Sequence, residues 1–450
     1  MYSFYRLSHF LQVLYTNCLY ILYKLICMFV RKEEMVAEER VIDVATPLLT
    51  DSSWTTVDIL CAVSCCLIHF GDAIELYLPG VITQAVSCEL GITVTQEGVL
   101  GVAMYLPLAC AVFVAGPLSE KFGRRPIMFF SLYTAIVFTV LCVVVHSYYT
   151  LLLSRALIGL TVGFNLSINM VIFAETASSS EINKAGSYLL SLTFSFGGVW
   201  VAVLGYLMLE RFGWRVFLVS TSLPFFVVPI IILTFFLKSV GTNTPTCLDD
   251  PVGAVAPVPN IKTRVFKASL LQFTNIFQGY GTILLVPSLV RQANLERGPG
   301  DCHSNSVHGT QLLILAAVAL ANPAGRFLGG ILSRWIKFRV LHSVVAGMIS
   351  LCYGLIIVYH DIVTVTVAMT TGKLLYAITA GEMNILMNDP GFFGSACFAV
   401  GTGIVMGSGY VGSTIGLALA AFFEPLVSTV VTLLLSLLQI AVALSITEYK

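Results

Sequence analysis

The sequence predicts an all-α integral membrane protein, with twelve transmembrane helices in two six-helix bundles. Three observations carry that expectation. The 450 residues are 57% hydrophobic and only 11% charged, with a mean hydropathy of +0.90, far from the balance of a soluble domain. Apolar residues fall into runs of roughly the 20 residues needed to cross a bilayer. Those runs divide six and six around one polar stretch rich in Pro, Asp and Lys, from Lys238 to Arg264, as expected of two homologous halves.

Residues 1–30 are apolar and aromatic but interrupted by Gln12, Asn17 and Lys24. No small-residue cleavage site follows, so the segment reads as an interfacial helix in preference to an uncleaved span. Residues 31–53 are polar and acidic, with Glu33, Glu34, Glu38 and Glu39, and complete an expected cytoplasmic tail over 1–56. Runs at 57–82, 97–119, 127–146, 149–174, 186–208 and 214–237 make a bundle over 57–237. A cytoplasmic linker, 238–264, follows. Runs at 265–290, 308–332, 340–360, 362–386, 395–421 and 426–446 make the second bundle, 265–446, before a short tail, 447–450.

Charge placement tests the topology. With the first tail inside, the Lys and Arg of the tails, of 121–125, Lys184, of 238–267 and of 326–339 all fall on the cytoplasmic side. Only Arg211, Arg215, Arg291 and Arg297 fall outside, a bias that places both termini in the cytoplasm. Net charge is zero, so no field invites nucleic acid. Most cysteines lie in apolar runs and read as small buried hydrophobes. Cys88 and Cys302 fall instead in outward loops, where a disulfide between them is open.

No metal-ligand spacing and no nucleophile–base motif stands out, so no enzyme, metal or cofactor is expected. Gly401-x-Gly403 and Gly407-x-Gly409-x-x-Gly412 lie within an apolar run with no preceding strand, which favours close helix packing over a nucleotide loop.

Chemistry should lie with the charges that hydrocarbon penalises. Asp72 and Glu75 share one face of the first span, at i and i+3, and Arg155 sits in the fourth span at the same outer level. Asp72 is expected to pair with Arg155 when ionised and to release it when protonated, which would couple proton movement to alternating access; a static pair is the rival. Polar residues of the fourth span (Asn165, Asn169), the seventh (Gln272, Asn275, Gln278, Tyr280) and the tenth (Lys373, Tyr376) are expected to line the cavity. Gln272, Asn275 and Gln278 recur at near-helical spacing and should form one inward stripe. Lys373, roughly 18 Å into its span, is a cation near the midplane that would draw an organic anion, a modest favourite over a cation or a neutral sugar.

Two sequence patterns point to a known family. The basic turn Gly116-Pro-Leu-Ser-Glu-Lys-Phe-Gly-Arg-Arg125 resembles the loop between helices two and three of the major facilitator superfamily, with Glu120 where that family usually has Asp. Gly71-Asp72 together with Arg155-x3-Gly-x3-Gly resembles its sugar-porter and synaptic-vesicle-two-related branches, and Asp72-Ala-x-Glu75-x3-Pro79 with Cys88-Glu89 is most similar to the latter. Organic ion transporters are near relatives with a longer first outward loop. The resemblance is carried by 57–237 and is weaker over 265–446; the Pro-Glu-Ser-Pro motif expected after the sixth span is absent. It implies a major facilitator fold and a proton-coupled secondary transporter. A facilitative or non-transporting vesicle protein acting as a binding partner is the alternative. It also implies a cytoplasmic gate of Gly116, Glu120, Gly123, Arg124 and Arg125 with Glu175 and Lys184, one-sided because Arg334 and Asn388-Asp389-Pro390 break the pattern in the second half. The expected partners are the lipid bilayer of a plasma or vesicle membrane, a small organic solute and protons, with the protein a monomer.

An internal repeat agrees with two halves. Gly71-Asp72 and Pro79 match Gly279-Tyr280 and Pro287 at one offset of 208 residues. Gly116-x-Leu118-Ser119 is echoed by Gly330-x-Leu332-Ser333. Arg155-x3-Gly159-x3-Gly163 is echoed by Lys373-x3-Ala377-x3-Gly381.

Overall fold

A computed structural model describes residues 54–235, 261–281, 309–359, 361–387, 392 and 398–446. The predicted tails, most of the linker, Cys302 and 388–390 lie outside the described residues, as do the side chains of Cys88, Lys184 and Arg334. The disulfide between Cys88 and Cys302 therefore falls outside them as well.

Among the described residues twelve helices follow the twelve apolar runs, and no strand occurs. Helices α1 (Thr56–Leu90), α2 (Val94–Phe122), α3 (Arg124–Val144) and α4 (Tyr148–Thr176) are joined by very short turns. The next two form one helical stretch, Ser180–Phe235, divided only at Gly213 into α5 (180–212) and α6 (214–235). In the second half, α7 (Ile261–Ile276) runs into a π-helical turn, Phe277–Gly281. Then come α8 (Gly309–Trp335), α9 (Phe338–Val358), α10 (Ile362–Met387), α11 (Phe398–Phe422) and α12 (Pro425–Ser445). Ten of these helices are long and apolar enough over their described residues to cross a membrane. Helix α7 is not among them; Lys262, Arg264 and Lys267 open it.

Local sequence writes the turns. Thr55 caps α1 in a reciprocal box: the Asp58 N–H donates to its hydroxyl at 3.1 Å, and its own N–H donates to Asp58 Oδ2 at 3.0 Å. The same carboxylate accepts from the Ser178 N–H at 3.0 Å and hydroxyl at 2.8 Å, which clasps the start of α1 to the end of α4. Gly123 and Gly213 turn the chain at φ 88° and 74°, where a side chain would be strained. One helix-breaking residue thus suffices between α2 and α3, and again between α5 and α6.

Within the first bundle α4 packs on α2, and α1 on the α5–α6 stretch; within the second, α10 packs on α8, α9 on α12 and α11 on α7. The bundles meet along α2–α11 and α5–α8. Backbones approach closely where glycine permits it. A Cβ added at Gly159 of α4 would overlap the Met104 carbonyl of α2, and one at Gly325 of α8 would overlap the Leu374 carbonyl of α10. The same contact recurs in both halves with the glycine on the opposite helix; Ala377 stands where the first half has Gly159. Outward-facing Phe130, Tyr133, Val137 and Val144 of α3, Leu351 and Val358 of α9, and Leu434, Leu437 and Leu438 of α12 are exposed, a boundary suited to lipid.

Overpacking at such a contact costs about 1–3 kcal/mol. Gly159→Ala is expected to lower the thermal unfolding midpoint of the detergent-solubilised protein. Gly347→Ala, where the nearest atom to a new Cβ is Ile440 Cδ1 at 3.8 Å, should leave it unchanged.

Candidate functional site

Three of the groups of polar side chains inside the bundles hold residues singled out in the sequence. In the first, Arg155 of α4 donates to Glu75 of α1 at 2.8 Å, both fully buried, and the Thr139 hydroxyl of α3 reaches Glu75 at 3.4 Å. Asp72 instead accepts from the Asn165 amide at 3.1 Å. Its other oxygen has no hydrogen-bond partner among the described residues. This corrects the expected Asp72–Arg155 pair. Arg155 and Asn165 are ten residues apart, about 15 Å along α4. The guanidinium therefore meets Glu75, one turn nearer the end of α1, while Asn165 meets the deeper Asp72. Asn169 lies a turn further in, donating to the Cys65 carbonyl at 2.7 Å and touching His69 Nδ1 at 2.6 Å.

The second group lies where both bundles contribute. Lys373 of α10, buried, donates to the carbonyl of Gly279 in the π-helical turn. Its ammonium lies 5.6, 5.1 and 4.9 Å from the ring centres of Tyr77 (α1), Tyr280 (the π turn) and Tyr376 (α10), within cation–π range. Asn322 of α8 donates to the Tyr77 hydroxyl at 2.8 Å, and Tyr105 of α2 packs on Tyr280 at 6.3 Å. A π turn widens the helix and loosens its carbonyls from the ordinary ladder, which frees Gly279 to take the lysine. Among the described residues no carboxylate lies within ion-pairing distance of Lys373.

Gln272, Asn275 and Gln278 do not form the expected single stripe. Gln272 points at Met406 of α11 (3.4 Å), Asn275 accepts from Thr379 of α10 (2.8 Å), and Gln278 donates to Gln439 of α12 (3.0 Å). Spacing by three residues turns the helix by about 60° at each step, and the π turn adds more. The three amides therefore serve three neighbours.

The third group is the basic turn. Arg124 pairs with Glu175 at 2.5 Å, and Arg125 donates to the Leu233 carbonyl at 2.7 Å while lying over the Phe129 ring. Gly116 accepts from Ser119 at 2.8 Å, Gly123 makes the turn, and Glu120 is half-buried. The Arg124–Glu175 pair joins α3 to α4 inside one bundle, so it stiffens that bundle and does not bar the seam between the two. Lys184 falls in the first turns of α5, not in the loop before it.

At the opposite end, Glu89 accepts from Trp214 Nε1 at 2.6 Å and from Arg215, which also reaches the Val145 carbonyl at 2.9 Å. This ties α1, the end of α3 and α6 together.

Two six-helix bundles repeat what the sequence resemblance implied, although the acid that meets Arg155 is Glu75 and not Asp72, and a family model decides the matter: that of the Major Facilitator Superfamily matches residues 63–421. The chain belongs to this superfamily.

Its relatives are distant. Rat synaptic vesicle glycoprotein 2A is 27% identical over 145 residues, covering 32% of this chain and 19% of its own. The svop-1 protein of Caenorhabditis elegans is 29% identical over 153 residues, covering 34% and 29%. The chain thus spans less than a third of the length of either curated relative. Two solved structures share the major facilitator fold over nearly their whole length. A bacterial homologue of the human lysosomal transporter Spinster, inward-facing and unoccupied, superposes with a TM-score of 0.62 at 16% identity, covering 87% of this chain and 97% of its own. The human organic anion transporter MFSD10 (TETRAN) gives 0.62 at 14%, covering 86% and 100%. The names of both solved structures refer to transporters.

Sequence reasoning missed four buried groups of this major facilitator chain: Arg326, His342, Glu382 and Gln439. Arg326 of α8 donates to the Ser191 hydroxyl of α5, which also accepts from Asn384 of α10 at 2.9 Å. The signal was present, since each of the three ionisable residues lies inside an apolar run, as Asp72 does.

Removing one partner of a buried pair costs about 3–5 kcal/mol. Glu75→Gln is therefore expected to lower the unfolding midpoint and folded yield sharply, whereas Asp72→Asn, which keeps a polar group against Asn165, should fold nearly as the parent does. Glu89, beyond the first span, is a pH-sensitive contact. Burial would raise its carboxyl, but the hydrogen bonds from Arg215 and Trp214 and the charges of Arg215 and His146 outweigh this and hold it below the ordinary glutamate value. A carboxyl lowered in the folded state stabilises above its unfolded pKa, about 4.3, and loses that contribution as pH falls through the folded value. The midpoint of the parent should therefore fall between about pH 5 and pH 3 more steeply than that of Glu89→Gln.

Proposed function

We propose that this chain is a secondary transporter of a small organic anion, moved by alternating access and coupled to protons. One observation carries the reading: Lys373, a buried cation without a carboxylate partner among the described residues, lies beside rings contributed by both bundles. Hydrocarbon makes such a charge costly unless something answers it. The Gly279 carbonyl and three ring faces answer it in part; an anion seated against Lys373 would complete it and touch both halves at once. The organic anion specificity named for MFSD10 supports the same class. Rocking of one bundle against the other would then expose the anion to either side in turn.

Proton coupling rests on Asp72. Glu75 already neutralises Arg155, so an ionised Asp72 is a second negative charge with only an amide to answer it, and protonation relieves that cost. The coupling triad is Asp72, Glu75 and Arg155, with Asp72 as the member that changes state. The protein is read as a monomer of the plasma or vesicle membrane with both termini cytoplasmic. The tail over 1–56 and the linker over 238–264 flank bundles at 57–237 and 265–446. A facilitative or non-transporting vesicle protein is the second reading, favoured by the broken gate pattern at Arg334 and Asn388-Asp389-Pro390.

The test is uptake of labelled organic anions into proteoliposomes under an imposed pH gradient. The parent protein should accumulate at least one anion. Lys373→Met should lower its uptake about 30-fold, the equivalent of about 2 kcal/mol for a hydrogen bond to a charged group. Asp72→Asn should keep exchange but no longer respond to the gradient. Folded protein that moves no anion would give way to the second reading.

A further inference from the structure

The second bundle holds a pair of ionisable groups that the anion site does not use. His342 of α9 and Glu382 of α10 are 0% and 4% exposed, with Nδ1 of the ring 3.5 Å from Oε2 of the carboxyl. Neither of these two atoms has a hydrogen-bond partner among the described residues. The other ring nitrogen, Nε2, meets Gln439 Nε2 of α12 at 2.8 Å, and Gln439 Oε1 accepts from Gln278 of the π turn after α7 at 3.0 Å. Gln278 immediately precedes Gly279, whose carbonyl holds Lys373. The chain of contacts therefore runs from Glu382 through three further helices to the tyrosine cage.

Chemistry fixes the direction of this chain. An amide nitrogen only donates, so His342 Nε2 accepts from Gln439, and the ring carries its proton on Nδ1, facing Glu382. A neutral imidazole beside an ionised carboxyl leaves the pair with a net charge of minus one, deep in the protein. One proton taken from water, bound to Glu382 or passed to the ring, brings it to neutrality.

We propose that His342 and Glu382 form a one-proton binding site of the second bundle, linked through Gln439 and Gln278 to the Lys373 cage. When the proton resides on the ring, Nε2 becomes a donor. Gln439 must then turn its oxygen to it, and its nitrogen towards Gln278. In that form the loaded site reverses the polarity of both amides and changes what Gln278 presents beside Gly279.

The charged and titratable groups on the helices packed around the pair include Arg326 and Arg334 of α8, Arg339, Cys352 and Tyr353 of α9, Lys373 and Tyr376 of α10, Lys262, Arg264, Lys267 and Tyr280 on the α7 segment, and Tyr188 of α5; α12 brings none. Lys267 and Arg339 are held at the end of α12, on the Ser445 and Leu444 carbonyls. Arg326 and Lys373 remain as cations inside the bundle without a described carboxylate partner, and they favour the empty, negative form. An anion seated at Lys373 would cancel that preference and favour the proton, and the proton would favour the anion equally. This last linkage rests on the transporter reading; proton binding itself does not.

The test is infrared difference spectroscopy of the full-length protein in lipid nanodiscs, titrated in pH without any solute. A carboxyl band that titrates in the parent should be missing from Glu382→Gln. Its midpoint should move by at least about one pH unit in His342→Gln, as for two strongly interacting sites. A spectrum unchanged by Glu382→Gln, or a midpoint unmoved by His342→Gln, would overturn the site. Should either variant fail to fold, parent protein labelled with 13C at the glutamate carboxyls serves instead. A glutamate carboxyl still protonated at neutral pH, about 7, where free glutamate is ionised, is the expected result, and its absence would overturn the proposal.

Discussion

Arg155 and Glu75 hold each other in the buried interior, and much of the first bundle follows from that. A guanidinium at this depth cannot be left alone, so α4 must present it level with Glu75, one turn beyond Asp72 on α1. The choice of level then fixes the rest of α4: Asn165 falls opposite Asp72, Asn169 opposite Cys65 and His69. Gly159, one turn on from Arg155, faces α2, and its missing side chain lets the two backbones touch. Charge sets the register and glycine sets the distance.

The second half reuses this plan with different chemistry. Lys373 occupies the place in α10 that Arg155 occupies in α4. Where Arg155 has a carboxylate, Lys373 has a carbonyl and three aromatic faces. The first half therefore pairs its buried cation with a carboxylate, while the second keeps a cation partly answered. Even the close helix contact survives with its parts exchanged, the glycine passing from the fourth helix of one half to the second helix of the other.

Architecture was legible because the bilayer enforces it residue by residue. Long apolar runs, a bias of Lys and Arg, and glycines at short turns are each local statements, and twelve helices followed. The buried charges were legible one at a time for the same reason. Their partners were not: a glutamate and an aspartate three residues apart are equivalent on a helical wheel, and only the level of α4 decides between them. The amides of α7 failed similarly, because a π turn that begins at Phe277 leaves no mark in periodicity. Glu382 and His342 were within reach of the rule that found Asp72, but their pairing joins separate helices and was invisible in either alone.

Ser191 shows what the seam between the bundles demands of any motion across it. Its hydroxyl oxygen, on α5, takes two donors at once, Arg326 from α8 and Asn384 from α10. A ladder of separate contacts would part rung by rung, each step small. Here one atom holds both strands of the fastening, so a displacement that carries Ser191 away strips both donors in the same instant. The two halves are thus joined at this point by something closer to a snap than a zip.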